Sequence, residues 1–517
     1  MIGRVTSDTT HTTAPGGTDA PSSQPVETAQ TARTARTGVD ASSESAATRR
    51  PPLPYRVRQL LPGLVVLAAV VQVARPVSDP DTFWHLAAGD RLRQTWVFNG
   101  PDPWSTMSTQ PWRLHEWLPE LVMSLFQQWL ALPGVAWLLP LGVAGIGLAL
   151  WRATRRRGSL LVSAAVTAVS LAAMSQSLSL RPHLVTFALT VVTTGAWLRT
   201  WQDRRARWWL IPLTWVWACS HGMWFMGVLV GAAVLLGLAL DRRVTRRQWG
   251  RLALVPLGSL VVAAATPTGP ELLLSPFAVN ETTQFIQEWM APSIKQPGFA
   301  FFVGMVAVVV LVWARSRRPV CWTEVLLLVL GTGLALLYAR TVAVGAAVVA
   351  PVAATTLQGL LPTAPEPLER REVRFTLGLT ALGLAVAAVV VAVRAVAPGG
   401  GAPGLDPAIA KLPAGTVVCN DYGLGGWLIW RHPNVRPAID GRVEVYSLGH
   451  VQEYVDFSAA SPGWTAYLTH TGCRWAVVST SSAASEALQK QTGWRITARG
   501  SDFLLLEAPA ATGSTGS

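Results

Sequence analysis

The chain is short of charge. Only 14% of its 517 residues are Asp, Glu, Lys or Arg, against roughly 25% in a soluble globular domain. Half are hydrophobic and the mean hydropathy is positive. That balance excludes an ordinary soluble enzyme and points to an integral membrane protein with some soluble mass. Lysine is nearly missing, with Lys295, Lys411 and Lys490 the only three. The net charge of +13 therefore rests on arginine. The arginines stand in short clusters between apolar runs, as topology signals do, so no nucleic-acid partner is expected. Four cysteines are scattered without metal-ligand spacing. Cys219 and Cys321 lie in or beside apolar runs. Cys419 and Cys473 lie in the C-terminal soluble part and could pair if that part is extracytoplasmic, although spacing alone does not determine geometry. There is no internal repeat. "GLGG" lacks the spacing and the downstream acid of a dinucleotide-binding fingerprint. No h-region with a cleavage site begins the chain. Residues 1–50 are rich in Thr, Ser, Ala, Pro and Gly and lack aromatics, so a disordered cytoplasmic tail is expected over 1–55.

Apolar runs then recur. Spanning helices are expected near 59–76, 134–151, 159–178, 184–201, 208–220, 223–240, 252–267, 299–314, 321–338, 341–360 and 375–397, about eleven in all. The run at 208–220 is short, since about 20 residues are needed to cross upright. Arg clusters fall on alternate turns: Arg49–Arg58, Arg152–Arg157, Arg204–Arg207, Arg242–Arg247, Arg315–Arg318 and Arg370–Arg374. By the positive-inside rule the N-terminus is cytoplasmic, and an odd helix count leaves the C-terminal part outside. The expected organisation is a mainly α, polytopic membrane domain over 56–398 with a long first outer loop at 77–117. A small extracytoplasmic α/β domain follows over 399–511, and a disordered tail over 512–517. In the α/β part, "TVVC", "RPAID", "WAVVS" and "DFLLLEA" read as strands. "DPAIAKL", "HVQEYVDF" and "ASEALQKQ" read as helices.

With this topology the chemistry collects on one side. Beyond the tail there are seven histidines, His85, His115, His183, His221, His432, His450 and His470, and all fall on or near the outer face. The first outer loop reads "DPDTFWH", "GPDPWS" and "WRLHEWLPE". Asp79 and Asp81, linked by the stiff Pro80, suit a divalent cation or general-base work. They equally suit a helix cap, with Phe83 and Trp84 in an interfacial belt or stacked on a sugar ring. His115 and Glu116 begin an amphipathic run and could bring a further carboxylate to the first pair, so a metal is admitted at Asp79, Asp81 and Glu116. Arg181 and His183 in "SLRPHLV" stand at a membrane boundary, where arginine either binds phosphate or snorkels. His221 lies between two runs with almost no loop. Glu288 occupies a long outer loop beside Trp289. Arg340 interrupts the apolar stretch 325–360 and needs an anionic partner, for which a lipid-linked phosphate would serve.

The motifs "DPDTFWHLAAGD", "DPWS", "HEWLPE", "RPHLVTF", "SHGMW", "TPTG", "YAR" and "GGWLIW…AIDGRVEVY" recur in that order along 79–446. This pattern resembles a family of bacterial multi-spanning proteins similar to GT-C-type membrane glycosyltransferases. The resemblance implies a bacterial plasma-membrane enzyme. It would take a sugar from a polyprenyl-phosphate donor in the lipid bilayer and pass it to an envelope glycan or protein acceptor on the outer face. It implies catalytic roles for Asp79 and Asp81, with Glu116 as a partner. His85 and His115 beside them are further catalytic candidates on position alone, and Asp81 is preferred to Asp79 as base because Asp79 also suits a cap. Donor or phosphate binding would fall to Arg181, His183, His221, Glu288 and Arg340, and the cofactor, if there is one, would be a divalent cation. Many of those relatives carry Asn where this chain has Ser220, which keeps a hydrogen bonder and loses a carboxamide. In the C-terminal motif, Gly425 and Gly426 permit a close approach. Asp440 and Arg442 suit a phosphate or sugar contact, or a structural charged turn. Two other function classes fit the same residues: a transporter or flippase of a lipid-linked glycan, and a non-catalytic envelope assembly protein. Against the transporter, the helix interiors lack mid-membrane charges.

Overall fold

The computed structural model describes residues 55–274, 287–316, 319–362, 364–394 and 401–509. The expected tails, Arg317, Arg318 and the linker residues 395–400, where a domain boundary was expected, lie outside them. The N-terminal part is helical: α1 (Tyr55–Arg58), α2 (Leu61–Gln72), α3 (Asp81–Thr95), α4 (Trp117–Arg155), α5 (Leu160–Met174), α6 (His183–Asp203), α7 (Leu210–Ala218), α8 (Met226–Leu240), α9 (Arg246–Ala264), α10 (Pro297–Arg315), α11 (Trp322–Leu337), α12 (Val342–Gln358) and α13 (Arg370–Arg394). A helix lies on each expected apolar run. Among the described residues, six helical stretches are long and apolar enough to cross a membrane, and the apolar α2 and α11 are shorter. The chain is a mainly helical integral membrane protein.

Local chemistry explains the irregular places. α4 breaks at Ala131, with φ at 53°, two residues before Pro133. Its first section therefore runs apart from the apolar section that follows. α7 is only 9 residues long because the chain turns at Cys219–Ser220–His221 into a short 3-10 turn and α8. α12 is built from Ala, Gly, Val and Thr and is buried along nearly its whole length. Small side chains let its neighbours approach on every side. At one end of the bundle the basic turns gather. There Arg155 pairs with Glu372, and Gln59 donates to Glu369 at 2.7 Å.

The loop 77–117 lies at the other end. Its short hairpin pairs β1 (Asn99–Gly100) with β2 (Trp112–Arg113). The C-terminal part adds α14 (Asp406–Ile409), β3 (Thr416–Asn420), α15 (Gly425–Arg431), β4 (Val435–Pro437), α16 (Leu448–Ala459), α17 (Thr465–Thr471), β5 (Trp475–Ser479), α18 (Ala483–Gln491), β6 (Arg495–Arg499) and β7 (Phe503–Glu507). The sheet order is β4-β3-β5-β7-β6, parallel through β4, β3 and β5 and antiparallel through β7 and β6. Cys419 and Cys473 form a disulfide with their Cα atoms 5.8 Å apart. Among the described strands, sequence patterning missed β6 of this sheet as well as β1 and β2 of the hairpin. "RITAR" is an exposed edge whose flanking arginines hide any alternation.

Parallel strands present loops beyond their carboxyl ends, where sites form in open α/β sheets. Here those loops meet α3. Phe83 is fully buried and packs its ring 5.1 Å from Trp427 and 5.6 Å from Trp430. Trp84 is also buried, against His85 and Trp112. Neither ring stands in an interfacial belt or faces a free surface. The aromatics after Asp81 weld α3 to the sheet domain, and one continuous apolar core joins the two parts.

Candidate functional site

Asp79 and Asp81 open α3. From the position before the N-cap, which is Pro80, Asp79 Oδ1 accepts the backbone N–H of Asp81 at 3.0 Å. Its other oxygen accepts from Arg181 Nε at 2.7 Å. Arg181 stands just before α6 and reaches two more acids: Nη1 lies 3.0 Å from Asp81 Oδ2 and 3.1 Å from Glu288 Oε1. Three carboxylates thus share one guanidinium, and the cluster keeps an excess of negative charge. It is not sealed. The Arg181 side chain is 23% exposed and that of Asp81 is 16% exposed. Burial pushes the Asp81 carboxyl up to about 6, against the pull of Arg181 and with the help of Asp79 and Glu288.

Two glycines of the sheet domain shape this site. A Cβ on Gly441 would lie 2.0 Å from Asp81 Oδ1 and 3.0 Å from Trp84 Nε1, and one on Gly426 would lie 2.7 Å from the Pro80 carbonyl. Only glycine lets the loop after β4 and the start of α15 close over the first turn of α3. The expected close approach at Gly426 is therefore made to protein. Sequence reading missed Gly441 because its neighbours Asp440 and Arg442 drew attention.

The second group gathers around Glu116, the N-cap of α4. His221 Nε2 lies 3.5 Å from Glu116 Oε1, His115 Nε2 lies 3.6 Å from it, and His85 Nε2 lies 3.9 Å from Oε2. His221 Nδ1 accepts from the Met223 N–H at 3.3 Å, so its proton sits on Nε2 and faces the carboxylate. His85 Nδ1 is 2.8 Å from Glu120 Oε1, and its Nε2 faces Glu116 beyond hydrogen-bond distance. Burial holds His85 well below its ordinary pKa, so it is neutral at neutral pH, and burial raises Glu116. Glu120 was not singled out as a site residue. Its position in "HEWLPE", four residues after Glu116 on one helix face, was the available signal.

The expected metal trio Asp79, Asp81 and Glu116 is corrected here. Arg181 lies between the first two acids and pairs with both, and Glu116 turns to histidines. Among the described residues the group at this end that brings ligand atoms within 4.8 Å of one another is His85, Glu116 and Glu120. Glu120 Oε2 is buried without a partner. Two carboxylates and an imidazole fit a divalent ion.

The remaining expected residues divide. Glu288 joins Arg181. Arg340 lies over the Trp289 ring at 4.7 Å and makes no ion pair within 4.0 Å to any described residue. His183 turns away and donates from Nε2 to the Ser177 carbonyl at 2.7 Å. Ser220 donates to the Val216 carbonyl at 2.7 Å, a bond back onto the last turn of α7. Asp440 and Arg442 lie apart, wholly buried. Arg442 is held by Asp102 at 2.7 Å and Asp440 at 2.6 Å, and Trp104 and Trp112 lie 4.7 and 5.0 Å from it. No atom of the pair is open to a phosphate or sugar, which leaves the charged structural turn.

No family model matches the chain and no curated protein matches it. Among solved structures it is similar to the Archaeoglobus fulgidus oligosaccharyltransferase AglB in complex with an inhibitory peptide and a dolichol-phosphate. The TM-score is 0.54 at 12% identity, over 81% of this chain and 69% of that one. The apo form of that enzyme gives 0.55 at 11% identity, over 85% and 70%. ArnT from Cupriavidus metallidurans bound to undecaprenyl phosphate gives 0.47 at 15%, over 88% and 98%. At such identity the likeness to AglB is one of fold, and the resemblance read from the motifs holds at that level: the chain has the GT-C-type fold of membrane glycosyltransferases.

Proposed function

We propose that the chain is a membrane glycosyltransferase. It moves a sugar from a polyprenyl-phosphate donor to an envelope acceptor on the outer face of a bacterial plasma membrane, with about eleven spans, the N-terminus inside and the sheet domain outside. The observation that carries this reading is Asp81. It is a partly exposed carboxylate with a pKa pushed up to about 6, at the end of the bundle that bears the sheet domain. A group so tuned accepts an acceptor hydroxyl's proton at neutral pH. Arg181, fixed by Asp79, keeps Asp81 in place and in part ionised. Arg340 has no acid partner among the described residues and is the cation that suits the donor's phosphate. The neighbouring AglB structure with a dolichol-phosphate supports a lipid-linked phosphate as donor. A divalent ion, when bound by His85, Glu116 and Glu120, would stabilise negative charge on the departing phosphate. His221 and His115 keep Glu116 oriented toward that place.

Purified protein in lipid vesicles, given a polyprenyl-phosphate-linked sugar, is expected to release polyprenyl phosphate when an acceptor is supplied. Arg340→Ala should raise KM more than it lowers kcat, the sign of lost donor binding. If wild-type protein neither binds nor consumes any such donor, the reading fails.

A further inference from the structure

A second cluster of metal-ligating side chains stands apart from Asp81 and Glu116, on the sheet domain. His450 and Glu453 lie three residues apart on α16, hence on one face, and His470 lies in the last turn of α17. Each offers one ligand atom, and the three lie within 4.8 Å of one another. His450 is 1% exposed. Its Nε2–H donates to the Ala438 carbonyl at 2.8 Å, which makes Nδ1 the acceptor nitrogen. That Nδ1 is buried and has no hydrogen-bond partner among the described residues. A buried acceptor left empty is costly. Tyr467, whose ring lies 5.3 Å from that of His450, also has a buried hydroxyl without a hydrogen-bond partner among the described residues. His470 is half exposed, so the cluster opens to solvent. Its Nδ1 lies 2.7 Å from Glu453 Oε2.

We propose that His450 Nδ1, the Glu453 carboxylate and a ring nitrogen of His470 bind a divalent transition-metal ion of the Zn²⁺ type. Two imidazoles and one carboxylate are a donor set of three-ligand zinc sites, with a fourth position for water. The donation from His450 to a backbone carbonyl is the contact that orients a metal-bound imidazole. The contact between His470 and Glu453 already brings two of the three donors together. Calcium and magnesium are disfavoured, since they take oxygen donors. The ion would clamp α16 to α17 and brace Ala438, which begins the segment ending at Gly441 against Asp81.

The test uses full-length, tag-free protein stripped of metal in detergent and titrated with Co²⁺, then Zn²⁺. Wild-type protein is expected to give a tetrahedral Co²⁺ absorption band that Zn²⁺ abolishes, and Glu116→Gln should give the same band. His470→Ala should bind at least about 100-fold more weakly, since losing an outer partner alone costs about 10–100-fold. In the Glu116→Gln background Zn²⁺ should raise the Tm, and adding His470→Ala should remove that rise. Equal Tm values for the two metal-free proteins would verify that the variant folds. His470→Cys should restore binding and add a thiolate-to-cobalt band. The proposal is overturned if wild-type protein shows no band, if His470→Ala titrates like wild type, or if only Glu116→Gln loses the ion.

Discussion

Arg442 and Arg181 both hold more than one carboxylate, and the two clusters serve opposite ends. Arg442 meets Asp102 and Asp440 with no side-chain exposure on any of the three, between two tryptophans and with the Tyr446 hydroxyl donating to Asp440 at 2.6 Å. Its donors are matched by acceptors from the first loop and from the turn after β4, so it fastens the sheet domain to that loop. Arg181 meets three acids, is 23% exposed, and leaves surplus negative charge facing solvent. A cluster with matched, buried partners is structural. One that is oversupplied and open keeps a group whose protonation can change near neutral pH.

The largest expected effect separates the two by activity. Asp81→Asn should lower transfer by about 10²–10⁴-fold, the range for a lost general base, while thermal unfolding stays at or above the wild-type midpoint. Wild-type turnover in that variant would remove Asp81 from the chemistry.

Next comes the opposite case. Arg442→Met leaves two buried carboxylates without a cation and should destabilise the protein by about 3–5 kcal/mol. Unfolding of detergent-solubilised protein measures this, and an unchanged midpoint would mean that the buried pair fastens nothing.

Gly441→Ala lies between the clusters, since its neighbours belong to one and its Cβ would strike the other. The intruding methyl must displace the Asp81 carboxylate, at an overpacking cost of about 1–3 kcal/mol. A loss of roughly tenfold in rate corresponds to about 1.4 kcal/mol. That loss, with the fold retained by circular dichroism, is the expected outcome. Full activity would show that the loop after β4 yields easily.

The smallest effect is in pH. The Asp81 carboxyl is raised from 3.8 to about 6, so the folded chain binds this proton more tightly than the unfolded one does. Its charge therefore imposes a stability cost that is absent below about 3.8 and complete above about 6. Asp440 has the opposite sign. Burial would raise its pKa, but Arg442 and Tyr446 outweigh that and hold it below 3.8. Its contribution is present above that value and fades as pH falls through the lower folded one. As pH rises from about 3.8 to about 6, wild-type stability should fall relative to Asp81→Asn, and kcat/KM should rise along an acid limb near the upper value. Parallel stability curves for the two proteins would contradict the raised carboxyl.

Much of the candidate site was readable because charged residues are scarce in a membrane chain and each one stands out. Asp79, Asp81, Arg181 and Glu288 could be named one by one, as could Glu116 and its histidines. Their grouping could not. Arg181 is 102 residues from Asp79, and nothing local says that it will enter the acid pair and displace the expected metal. Glu120 was overlooked because a glutamate in the first turn of a helix has an ordinary explanation in the helix dipole. Phe83 and Trp84 suit a membrane belt or a sugar platform in the sequence, because aromatics beside an apolar run usually belong at the interface. The sheet domain that covers them lies over 300 positions later in the chain.

The sequence by itself determined the membrane class, the positions of the apolar helices though not of α3, most of the strands and the residue types available for chemistry. Hydrophobic period and arginine spacing are local signals, legible within a window of about 20 residues. Only the tertiary structure decided which carboxylates share Arg181, that Asp440 and Arg442 are sealed into a turn, and that His450 keeps an unused nitrogen beside His470. Those outcomes depend on burial and on partners brought from distant segments, and it is the loss of water around a charge that makes its nearest neighbour decisive.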